Sequence, residues 1–169
     1  MIELMAGDII LVRGRRLRHR MVQRLRGCFW NHAVIHYKYD YVMEVRSHGL
    51  MQRRFRRDYS KKQICVLRHE SAQEEPREQA ERFIWVMRGV WKANERFDFL
   101  AFIGELLRLP RLRRPGRVLC DDFVSKIYAG AEICDVDVRD IMMHDYSAEY
   151  LRQTYGLIKL YDYRGADKC

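Results

Sequence analysis

Apolar positions change their spacing along the chain, from short β-branched runs in the first seventy residues to helical periods beyond them. Ile9-Ile10-Leu11-Val12, opened by Gly7-Asp8, reads as a short buried strand. Asn31 to Tyr37 and Tyr41 to Arg46 are rich in β-branched and aromatic residues, and Lys38-Tyr39-Asp40 between them suits a hairpin turn. Gly49 to Arg53 and Gln63 to Arg68 predict two further strands. Pro76 then suits a first helical position, and Ala80, Phe83, Ile84, Met87, Val90 and Trp91 trace one face at a 3.6-residue period. Phe97 to Leu109 predicts a shorter apolar helix. Leu119 to Ala131 predicts another, with apolar residues at 123, 124, 127, 128 and 131. Ser147 is placed as the N-cap of a helix running to Tyr155, and Leu157 to Tyr161 as a closing strand. Ile133 to Met143 has a mixed pattern that predicts neither. Strands first and helices later argue for an α+β fold in a single domain over residues 1–169.

Composition narrows the class. A hydrophobic content of 48% with 12% aromatic residues excludes a disordered chain. There is no apolar run long enough for a transmembrane helix, so no stable membrane insertion is expected. Met1 to Gly7 lacks the basic region and apolar core of a secretory signal. A cytoplasmic location is expected, with phage-encoded or lysis-delivered protein as the other route. The cysteines (28, 65, 120, 134 and 169) are scattered, without C-x-x-C spacing. This argues against a disulfide framework or structural zinc, and no cofactor or metal is expected.

Charge adds a second theme. The formal net charge is +9, and arginines cluster at 13–26, 53–57 and 108–117. Such clusters attract an anionic partner, whether nucleic acid, phospholipid or an acidic protein, through Arg13, Arg15, Arg16, Arg18 and Arg20. The alternative is a solvated basic face. Residues 13–26 also carry Leu17, Met21, Val22 and Leu25 at the spacing of a short basic amphipathic helix that Gly27 would end. Interleaved aromatics of a base-stacking platform are missing from the clusters.

The chemistry centres on Cys120, at the first turn of its predicted helix. A helix N-terminus carries about half a positive charge and favours thiolate over thiol. A cysteine hydrolase also needs a histidine to take and return the proton and a polar group to orient that histidine. A hairpin folded about Lys38 sets His32 directly opposite Glu44, with Cβ atoms roughly 5 Å apart. The Cys120 backbone N–H would donate to an oxyanion. Each residue has a plainer reading. Cys120 would pack as a small apolar residue, His32 as a hairpin histidine and Glu44 as an exposed carboxylate paired with an arginine. His36 shares the parity of His32. His48-Gly49 suits a turn and His144-Asp145 a loop.

The succession Gly7-Asp8-Ile9-Ile10, Asn31-His32-Ala33-Val34-Ile35, Val42-Met43-Glu44-Val45 and a distant Cys120 leading a helix resembles the permuted papain-like hydrolases of the NlpC type. That group includes lecithin:retinol acyltransferase-like enzymes. In it the histidine precedes the cysteine and a third polar residue follows on the neighbouring strand. The resemblance spans residues 7 to 131. It implies a small antiparallel sheet carrying His32 and Glu44, packed against the helix that carries Cys120. It further implies amidase or peptidase attack through a thioacyl-enzyme, with acyl transfer as a variant, on substrates from peptide amides, often of the bacterial cell wall, to lipid esters. The rival is a non-catalytic binding module using its arginines on nucleic acid or anionic lipid. Three features depart from the group: the basic stretch before His32, the Asp121-Asp122 pair that opposes a low thiol pKa, and the missing export signal, which disfavours a cell-wall substrate.

Overall fold

The computed structural model describes residues 3–14, 20, 23–24, 27–46, 48–59, 62–93, 96–106, 117–144 and 146–163. In these it is an α+β fold. Strands β1 (Ile9–Arg13), β2 (His32–Lys38), β3 (Tyr41–Arg46), β4 (Gly49–Arg54), β5 (Gln63–His69) and β8 (Leu157–Tyr163) form a six-stranded antiparallel sheet in the order β4-β3-β2-β1-β5-β8. Helix α1 (Phe55–Tyr59) follows β4, and α2 (Ser71–Glu74) and α3 (Pro76–Ala93) follow β5. Short parallel strands β6 (Arg96–Phe97) and β7 (Arg117–Val118) flank α4 (Phe99–Leu106). Helices α5 (Cys120–Gly130), α6 (Val138–Met143) and α7 (Ala148–Tyr155) precede β8.

The unbroken apolar run of β1 reflects its central place, because both of its faces are covered. Ile9 and Leu11 join Ala33, Ile35, Met43, Val45 and Leu67 on the face where α3 and α5 lay down Phe83, Met87, Phe123, Val124, Ile127 and Tyr128. Ile10 and Val12 point the other way, to Val34, Val42, Tyr59, Ile64 and Val66. The approach to β1 is tight. Gly7 sits at φ +95°, where a Cβ would lie 2.2 Å from the Phe83 ring. The Tyr128 hydroxyl donates to the Gly7 carbonyl at 2.8 Å. Next to it, buried Asp8 takes both ends of the Arg68 guanidinium at 2.8 Å.

Most predicted elements stand where the hydrophobic pattern puts them, including Ser147, whose hydroxyl accepts from the Tyr150 N–H. Four points differ. Residues 55–57, read only as part of a basic cluster, open helix α1, because Asp40 in the hairpin turn accepts from the Arg56 N–H at 3.0 Å and caps it. Residues 138–143, left unassigned, form α6, capped by the Asp137 side chain. On α3 the buried face is Phe83, Val86 and Met87, and Trp91 is 44% exposed instead of completing it. The hairpin turn is Tyr39-Asp40, with Tyr39 at φ +54°, and an irregularity between His36 and Lys38 sets the register at Ile35↔Met43 and His36↔Val42. Of the basic stretch 13–26, Arg15, Arg16 and Arg18 lie outside the described residues, while Arg20, Gln23 and Arg24 are helical and Gly27 follows at φ +65°. The end of the predicted 97–109 helix, most of the 108–117 cluster and Cys169 also lie outside them.

Candidate active site

Helix α5 begins at Cys120 because Leu119, in extended conformation, supplies the first helical carbonyl, which accepts from the Phe123 N–H at 2.9 Å. Leu119 makes no side-chain cap, so no side chain of the N-cap residue covers the helix start at Cys120. The helix is pinned by its apolar face, Phe123, Val124, Ile127 and Tyr128, all fully buried. That anchorage fixes where the Cys120 side chain stands.

His32 opens β2, and the Cys120 side chain is near enough to act on its ring. Its Nε2–H donates to Glu44 Oε2 at 2.5 Å, so the ring nitrogen facing the thiol is Nδ1. The three predicted residues therefore come together, although not by the predicted pairing. Continuing the observed register sets Arg46, not Glu44, across from His32. Glu44 is the diagonal neighbour on the same face, still within reach of a long side chain. The reading of Glu44 as an exposed carboxylate is also corrected, since its side chain is fully buried.

A buried carboxylate needs partners, and Glu44 has several. Tyr59, carried over the sheet by α1, donates its hydroxyl to Oε2 at 2.7 Å. Arg46 Nε lies 2.8 Å from Oε1 and Arg53 Nε 3.6 Å from it, as ion pairs. Burial alone would raise the Glu44 pKa, but the hydrogen bond and charge of His32, followed by Arg46, outweigh it and hold the carboxyl down at about 2. Burial alone would likewise lower His32, yet hydrogen bonds to Cys120 and Glu44 lift it to about 9. At neutral pH the imidazole therefore carries its second proton. Tyr59 is pushed well above the usual phenol range by burial and by Glu44, so it remains a donor.

No family model matches the chain, and no curated protein matches it.

Among the remaining candidates, His36 is buried and its Nε2–H donates to the Tyr39 carbonyl at 3.0 Å, a bond that braces the hairpin turn. His144 lies at the end of α6 beside Asp140 and Tyr146. Arg13 stacks its guanidinium 4.2 Å over the Phe29 ring, so this member of the basic stretch is packed against the fold. Cys28, Cys65, Cys120 and Cys134 form no disulfide. Burial and the nearby Asp135 push the Cys134 thiol up to about 11, which keeps it protonated at neutral pH. Among the described residues, no three His, Cys, Asp or Glu side chains converge as metal ligands, and no helix is long and apolar enough to cross a membrane.

Sequence reasoning missed Tyr59, Arg46 and Arg53. Arg46 stands two residues beyond Glu44 on one strand, and so on one face, a signal available from the period of a strand alone. Tyr59 sends no such signal, because its approach depends on a short helix hidden in a basic run.

Proposed function

We propose that this protein is a cysteine hydrolase, an amidase or peptidase that attacks an amide or ester carbonyl through a thioacyl-enzyme intermediate. One observation carries the reading: a single imidazole bonded to a fully buried carboxylate stands under the influence of a cysteine at a helix N-terminus. In this reading Cys120 is the nucleophile, His32 the acid–base and Glu44 the group that orients it. The sulfur, its proton already resting on His32 Nδ1, forms a bond to the carbonyl carbon. The Cys120 backbone N–H donates to the developing oxyanion. Collapse of that intermediate breaks the bond to the leaving amine or alcohol, which takes the proton from Nδ1. Water then attacks the thioester with His32 as base, releasing the acid and returning the proton to Nδ1. An acceptor amine or alcohol in place of water makes the same centre an acyltransferase.

The reading agrees with the order of residues in permuted papain-like hydrolases of the NlpC type. It is tested by mixing the protein with a 4-nitrophenyl acyl ester and following nitrophenol release together with intact mass. The expected result is a burst and an acyl adduct mapped to Cys120, both absent in Cys120→Ala. Absence of the adduct from the wild type, or its persistence in the folded variant, would refute the assignment.

A further inference from the structure

Cations outnumber anions around the buried Glu44 carboxylate. Arg46 and Arg53 both approach Oε1, and Arg53 also reaches Asp58 at 4.0 Å. Lys62 stacks its ammonium 4.1 Å over the Tyr59 ring. His32 adds a further positive charge at neutral pH. Arg57, paired with Asp58, stands beside them. Among the described residues, two carboxylates, Glu44 and Asp58, face this group. The surplus is felt locally, since burial and the neighbouring Arg46 charge lower the Lys62 pKa.

The surplus is also accessible. The Arg46 and Arg53 side chains are 35% and 37% exposed, whereas Glu44 is sealed. Gly49 lies opposite Arg46 on β4, so no side chain stands across from it there. The register puts Arg46 across the ladder from His32, and Val42↔Arg53 and Glu44↔Met51 place Arg53 on that same face of the sheet. Guanidinium groups present parallel N–H donors that match an oxyanion.

We propose that Arg46, Arg53 and Lys62 form a subsite beside the Cys120–His32 centre for an oxyanion, a carboxylate or a phosphate, carried by the substrate. The substrate is then an acyl compound with a negative charge close to the reacting carbonyl. This rests on the cysteine hydrolase reading and adds a charge requirement to it.

The test uses two alkylating reagents with one leaving group and different charge: iodoacetate, which is anionic, and iodoacetamide, which is neutral. Both displace iodide from carbon to form a thioether at Cys120. Rates at Cys120 are read by peptide mass spectrometry and normalised to those of free cysteine. The normalised iodoacetate-to-iodoacetamide ratio is expected to exceed unity. It should fall about threefold in Arg53→Gln and further in Arg53→Gln/Lys62→Gln, and decline with added salt as partly exposed charges are screened. A ratio that the substitutions leave unchanged would overturn the subsite, because the preference would then come from His32 alone. Inorganic phosphate and acetate, added separately as competitors of iodoacetate, tell the two classes of oxyanion apart. The expected result is that one slows labelling at lower concentration and loses this effect in the double variant. If neither slows it beyond sodium chloride of matched ionic strength, the cations are a diffuse field and the proposal fails. A Cys120 no faster than Cys134 towards iodoacetamide would instead sink the hydrolase reading itself, so the two failures are distinct.

Discussion

Replacing Glu44 by glutamine probes the centre most directly. Glutamine keeps the shape and one acceptor oxygen but removes the charge facing His32, Arg46 and Arg53. The bond from the His32 cation (2.5 Å) loses its anionic acceptor, and that from Tyr59 (2.7 Å) changes from charge-assisted to neutral. Charge-assisted bonds contribute about 1.5–3 kcal/mol and neutral ones about 0.5–1.5, so the pair loses about 2–3 kcal/mol. The two arginines, each about a third exposed, regain water and add little. The pH dependence is more telling than the size. Glu44 titrates at about 2 in the fold against an ordinary 4.5, so its contribution is complete above 4.5 and is lost as pH falls toward 2. His32 titrates at about 9 against 6.5, so its contribution is complete below 6.5 and is lost as pH rises through 9. Wild-type stability from this pair is therefore flat between 4.5 and 6.5 and declines on both sides. In Glu44→Gln the acid limb loses the Glu44 share, and the alkaline limb is smaller and ends at lower pH. Urea denaturation across about pH 3 to 10 measures both. A wild-type-minus-variant difference that stays constant across that range, or one under about 0.5 kcal/mol at pH 5.5, would refute the charge-partner account.

Three further substitutions test neighbouring parts of the fold. Tyr59→Phe removes the second donor on Glu44 Oε2 and is expected to cost about 1–2 kcal/mol. It leaves that oxygen more basic toward His32, so the His32 midpoint seen by NMR should rise, and an unmoved midpoint would reduce Tyr59 to packing. Gly7→Ala puts a Cβ 2.2 Å from the Phe83 ring at a φ of +95°. Overpacking and left-handed strain together predict a loss of about 3 kcal/mol, and a loss under 1 by calorimetry would contradict it. Arg68→Met takes the guanidinium partner from the Asp8 carboxylate, 1% exposed, and should cost about 3 kcal/mol in urea denaturation at neutral pH. A loss under about 1 kcal/mol would contradict the ion-pair account.

The α+β order and most element positions are legible because apolar residues recur at the period of the element they build. Ile9 to Val12 and the Phe83–Met87 face of α3 are examples. The short helices are not, since α1 owes its existence to a cap from Asp40 in a preceding turn and carries mostly charged residues. The meeting of His32 and Glu44 is legible through parity, which a register offset of two preserves. The offset itself comes from Tyr39 taking a left-handed φ and from the irregularity after His36, neither of which follows from residue type. Cys120 stands out by its place at a helix start. The cation cradle around Glu44 is not legible as a unit, because β4 and α1 bring Arg53 and Tyr59 to it through tertiary packing.

The division of the centre between a local hairpin and a far helix has a consequence for biogenesis. His32 and Glu44 belong to one hairpin, which closes over a short loop and is available early in synthesis. Cys120 joins only when α5 docks, a contact of large sequence separation that forms among the last. On a ribosome the chain would expose its imidazole and carboxylate long before the sulfur reaches them. An incomplete or misdocked chain therefore has the hairpin pair without the sulfur, and completion of the fold is itself the step that unites the three residues.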